Sequence, residues 1–67
     1  MAVDFSVQNE GTIFILWPLT PDAERWVEEH IPEAAQRFGV NGVVVEHRYI
    51  GDVVEGIQGD GLTVSDR

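Results

Sequence analysis

The chain has 67 residues, no cysteine and no lysine, and its twelve acids outnumber four arginines to give a formal charge of −8. That length holds one small core, so residues 1–67 are a single domain, and the missing cysteines exclude disulfides and thiolate metal sites. The charge repels nucleic-acid phosphate and anionic membranes, so direct binding to either is not expected.

Hydrophobic residues make up 43% of the chain, too many for a disordered segment. The longest apolar run, Ile13 to Trp17, is far short of the ~20 residues of a membrane span. The N-terminus carries no signal-peptide pattern, and a cytoplasmic protein is expected. So short a chain buries little surface alone, and with disulfides excluded, self-association is the favoured way to bury more.

Val3, Phe5 and Val7 alternate with polar residues, the period of a half-buried strand. Asn9-Glu10-Gly11 reads as a three-residue hairpin loop leading into a second strand over residues 12–17. That loop sets Val7 opposite Ile13, Phe5 opposite Ile15 and Val3 opposite Trp17, all on the core face. Phe14 and Leu16 then point outward beside Asp4 and Ser6, an apolar pair that a second subunit would cover. A two-residue turn would shift every pair.

Thr20 predicts an N-cap, with Pro21 at the first helical position and Asp22 and Glu24 at the positive end of the helix dipole. Ala23, Trp26, Val27, His30, Ile31, Ala34, Ala35 and Phe38 keep one apolar stripe in helical phase. Pro32 interrupts it, so the spacing predicts a helix over 21–30 and a separate helical turn over 32–37, closed by Gly39 as C-cap. A third strand follows over 40–46, with Val43 and Val45 on one face and Val44 on the other. A second helix covers 48–58 through Tyr49, Ile50, Val53, Val54 and Ile57. A final strand covers 62–64, and residues 65–67 form a loose tail.

The order β-β-α-β-α-β predicts a two-layer α/β (α+β) sandwich, a four-stranded mixed sheet with two helices on one face. Its core is expected to hold Val3, Phe5, Val7, Ile13, Ile15, Trp26, Val27, Ile31, Phe38, Val43, Val45, Ile50, Val53, Val54, Ile57, Leu62 and Val64.

Few residues suggest chemistry. His30 lies on the apolar stripe and reads as a hydrogen-bonded helix residue. His47 and Arg48 follow the third strand, where α/β proteins place ligand sites, and form the candidate ligand site. Glu24, Glu28, Glu29 and Glu33 make a carboxylate band on the first helix, a solvated face or a docking face for a basic partner. No nucleophile motif, calcium loop or phosphate loop is present. No catalytic residue, cofactor site or metal site is assigned.

The blocks Leu19-Thr20-Pro21, Trp26-Val27-Glu28-Glu29, Val45-Glu46-His47-Arg48-Tyr49-Ile50 and Gly59-Asp60-Gly61-Leu62-Thr63-Val64 resemble those of short uncharacterised bacterial proteins. Such proteins often accompany mobile elements, phages or plasmids. The resemblance covers most of the chain, implies a stand-alone bacterial protein and carries no activity.

These features point to a non-enzymatic interaction protein acting as a homodimer, with Phe14, Leu16 and Val44 at the self-association face. One alternative is an acidic inhibitor that imitates nucleic acid and blocks a basic surface of a DNA- or RNA-binding protein. Another is a ligand-binding or enzyme subunit using His47 and Arg48.

Overall fold

The computed structural model describes residues 3–32 and 35–66. β1 (Phe5–Asn9) and β2 (Ile13–Pro18) form a hairpin, followed by α1 (Pro21–His30), β3 (Arg37–Phe38), β4 (Gly42–Glu46), α2 (Ile50–Gly59) and β5 (Val64–Asp66). The strands make one mixed sheet in the order β3-β4-β2-β1-β5, antiparallel except where β5 runs parallel to β1. Trp26 of α1 and Ile57 of α2 join a single buried cluster with Phe5, Val7, Leu16, Val43 and Val45, so both helices cover the same face. The α+β class and the two-layer arrangement stand. The sheet has five strands rather than four.

The fifth strand comes from the stretch after Pro32. Arg37 and Phe38 pair with Val43 and Gly42, so they extend the sheet instead of ending a helical turn. Gly39 therefore lies in the β3–β4 turn and caps no helix. Within that expected helical turn Glu33 and Ala34 fall outside the described residues, while Pro32, Ala35 and Gln36 lie in no helix. At the other end, Ser65 and Asp66 belong to β5, paired with Ser6 and Val7, so they are not a loose tail. Arg67 lies outside the described residues.

The hairpin departs most from expectation. Phe5 pairs with Pro18, Val7 with Leu16 and Asn9 with Phe14, three positions from the predicted register. The Glu10 N–H donates to the Ile13 carbonyl at 2.9 Å, which closes a two-residue turn at Gly11-Thr12. Gly11 has φ +92° and no other residue type described has positive φ, so the turn follows the type II′ pattern, with glycine first. The Asn9 side-chain oxygen accepts the Gly11 N–H at 2.8 Å and steadies the bend. Such turns match the right-handed twist of paired strands, whereas the three-residue loop does not form.

An odd shift exchanges the two faces of a strand. Phe14 and Leu16 therefore face the helices: Leu16 is fully buried and Phe14 packs against the core. Neither can form the self-association face assigned to them from the sequence. Ile13, Ile15 and Trp17 take the outer face instead, which removes Ile13 and Ile15 from the main cluster. Val3 and Phe38, also expected in the core, are 38% and 52% exposed.

The helices end where local chemistry requires. The Thr20 hydroxyl accepts the Ala23 N–H at 3.1 Å, capping α1, and Ile31 leaves helical geometry immediately before Pro32. α2 begins after Tyr49 with no side-chain cap. It closes with the Gly61 N–H on the Gln58 carbonyl and the Leu62 N–H on the Ile57 carbonyl, the two bonds of a Schellman motif. That closure directs Asp60 toward α1.

Candidate interaction surfaces

Four surfaces carry the residues singled out by the sequence or by the fold. The first is the uncovered face of the sheet. Registers of β2 with β4 and of β3 with β4 bring Ile13, Ile15, Trp17, Val44, Gly42 and Phe38 to this side. The Trp17 indole lies over Gly42, whose missing side chain makes room: a Cβ there would stand 3.0 Å from the ring and 2.6 Å from the Phe38 carbonyl oxygen. Phe38 meets Trp17 edge-on at 6.0 Å, and the indole N–H donates to the Gln8 side-chain carbonyl at 3.0 Å. Beneath this roof Ile15 is 2% exposed, while Ile13, Trp17 and Val44 remain half-buried. Val44 thus keeps its assigned outward place, with different neighbours.

Charge borders this face without crossing it. Glu46, on the same side at the end of β4, is held by the Arg48 guanidinium at 3.3 Å. The sequence pattern places Asp4 on the outward side of β1, beside this face. It instead accepts the Thr20 hydroxyl at 2.7 Å and the Thr63 N–H at 3.0 Å, tying β1 to the start of α1 and the approach to β5.

The second surface is acidic. Asp22, Glu24, Glu28 and Glu29 on α1 and Asp52 and Glu55 on α2 are all exposed, on the helical layer opposite the apolar face. Among the described residues Arg25 pairs with Asp22 alone, at 3.8 Å. Glu33, the fourth member of the predicted carboxylate band, lies outside the described residues.

The third is the His47–Arg48 turn between β4 and α2. The His47 ring leans on Phe14 at 5.2 Å, and the Arg48 guanidinium sits 5.0 Å from the Tyr49 ring centre while paired with Glu46. Both residues are exposed and engaged with their neighbours in the chain.

The fourth is a cluster of Trp26, His30 and Asp60 that sequence reasoning missed, because Asp60 lies 34 positions from Trp26. The indole N–H of Trp26 donates to Asp60 Oδ2 at 2.7 Å, and the His30 ring stacks on the indole at 4.4 Å. His30 Nδ1 lies 2.9 Å from the Trp26 carbonyl oxygen, which can only accept, so that nitrogen carries a proton. Nε2 faces Asp60 Oδ2 at 3.5 Å. The cluster is a tie between the ends of the two helices.

Among the described residues, no group of three or more His, Asp or Glu is placed to hold a metal ion, and no helix is long and apolar enough to cross a membrane. No protein-family model, curated protein or solved structure matches the chain.

Proposed function

We propose that this chain is a small acidic, non-enzymatic interaction module that works as a homodimer, paired through the outer face of its sheet. One observation carries the reading: Ile13, Trp17, Val44 and Phe38 form a continuous apolar surface on a side of the sheet that no helix covers. Monomeric proteins seldom leave such a sheet face bare. A two-fold axis through Val44 would set the same patch of each copy against its equivalent, with no separate pocket required. The apolar area buried stabilises the pair at roughly 25 cal/mol per Å² before association costs. Six exposed acids lie on the helical layer, and Glu46 at the border of the apolar face is paired with Arg48, which supports this because most like charges of two copies then stay apart.

Sedimentation equilibrium of the wild type, Val44→Glu and Phe38→Asp tests it. A wild-type dimer and monomeric variants, each with a folded circular-dichroism spectrum, are the expected outcome. A wild type that stays monomeric at high micromolar concentration would overturn the reading.

A second reading is compatible with the first and concerns the other side of the molecule. The exposed carboxylates of α1 and α2 share the helical layer and support docking to a basic protein surface, where they would stand in for nucleic-acid phosphates. The chain itself should then give no gel shift with DNA or RNA at low salt, the condition most favourable to binding. A reproducible shift would remove the mimicry reading.

A further inference from the structure

A groove of about 760 Å³ runs between α1 and the β3–β4 turn, lined by Pro18, Val27, Ile31 and Val40 and by Glu24, Glu28, Arg37 and Asn41. We propose that it receives a short segment of another protein that presents an apolar side chain next to a basic one. This rests on the second reading above and gives it an address.

Three observations carry it. Val40 at the tip of the turn is 100% exposed, and Ile31 on the opposite wall is only half-buried, so apolar surface faces the groove from both sides. The Asn41 side-chain amide donates to the Pro18 carbonyl at 3.2 Å, which anchors the turn and holds that wall in place. Glu24 and Glu28, one helical turn apart, line the groove along α1, and neither has an ion partner among the described residues. Like charges at this spacing repel and cost the helix a few tenths of a kcal/mol. The neighbouring Arg37 does not relieve them, since its guanidinium turns to the Pro32 carbonyl at 3.4 Å. A cation supplied from outside would do so.

The shape selects the occupant's class. The groove is open and shallow in chemistry, with no buried polar group to orient a small molecule, whereas small-ligand sites enclose most of their ligand. A chain segment needs only a floor for one apolar anchor and a charged wall for register. Nucleic acid is the wrong sign, and a second copy of this chain brings twelve acids with its four arginines, a net charge of −8 that opposes its approach to Glu24 and Glu28.

The test uses a short capped peptide alternating Leu and Arg, titrated into the full-length ¹⁵N-labelled protein. Amide shifts should concentrate at Glu24, Val27, Glu28, Ile31, Val40 and Asn41. The double variant Glu24→Gln/Glu28→Gln should weaken binding about tenfold, as expected for the loss of two partly exposed ion pairs. Val40→Ser should weaken it severalfold while leaving the sedimentation behaviour of the protein unchanged. The double variant Asp52→Asn/Glu55→Gln on α2 should bind as the wild type does. Equal affinity for a Ser/Arg peptide would mean mere charge attraction and would overturn the proposal. Shifts confined to α2 would remove this groove yet leave the basic-partner reading standing. No binding by any of the peptides would count against both.

Discussion

Asp4 shows how much one half-buried carboxylate can organise in so small a chain. Its backbone N–H donates to the Thr63 hydroxyl at 3.1 Å, and its backbone carbonyl accepts the Leu19 N–H at 2.7 Å. Its carboxylate accepts from Thr20 and Thr63, and Thr20 in turn caps α1. The Thr20 hydroxyl first, and the Thr63 backbone N–H second, hold the Asp4 carboxyl below its ordinary value of 3.8 against an opposing effect of desolvation. A carboxyl lowered on folding adds stability above its unfolded value, and that stability is lost as pH falls through the folded value. Asp4→Asn should therefore melt below the wild type at pH 7, and the gap between them should close as pH falls below about 4. Protonation of the surplus acids relieves repulsion in both proteins, so the difference between the two melting curves is the quantity to read. A gap that stays constant down to pH 2 would mean that the carboxylate charge plays no part in the tie.

At the scale of the element, two glycines in similar sequence surroundings have opposite expected behaviour. A Cβ at Gly42 of β4 would stand 2.6 Å from the Phe38 carbonyl oxygen and 3.0 Å from both Ile15 and Trp17, so Gly42→Ala must displace the indole roof. Overpacking of this kind costs about 1–3 kcal/mol. A Cβ at Gly51 of α2 meets nothing within 4 Å, and Gly51→Ala should stabilise by about 0.5–1 kcal/mol through helix propensity and a less flexible unfolded chain. Urea titration of both variants reads the two signs together. The contrast also shows what was legible beforehand. α1 was readable to its last residue, because Thr20, Pro21 and Pro32 each impose a local backbone geometry. β2 was not, because Ile13 to Trp17 are apolar at every position and carry no alternation to say which side faces the core. The choice between a two- and a three-residue turn then decided every contact of that strand, and with it whether Phe14 or Trp17 faces outward. Arg37 and Phe38 were misread for a related reason: Phe38 continues the helical stripe in phase, and only its pairing with Gly42 reveals a strand. The Trp26–His30–Asp60 tie was hidden because the Schellman turn that places Asp60 acts across the fold, not along the chain.

For the whole molecule, the decisive feature is the separation of charge from apolar surface across a body of about 30 × 23 × 20 Å. Electrostatic repulsion between two copies, each at −8, opposes any dimer, but how strongly depends on which faces meet. Pairing through the outer sheet face keeps the exposed acids of both helical layers at the far ends of the assembly. At 0.1 M salt the screening length is about 10 Å, less than the shortest dimension of one subunit, so repulsion across such a dimer is largely quenched. At about 0.01 M it reaches roughly 30 Å and the two layers feel each other. Dimerisation should therefore tighten as salt rises from 10 to 100 mM and then level off, since further salt has little left to screen and the apolar contact itself is insensitive to it. An interface made from ion pairs, such as one joining Arg25 or Arg37 to the partner's carboxylates, would loosen over the same range. Sedimentation equilibrium across a salt series separates the two cases, and weakening with salt would move the interface off the sheet face and onto the charged side of the molecule.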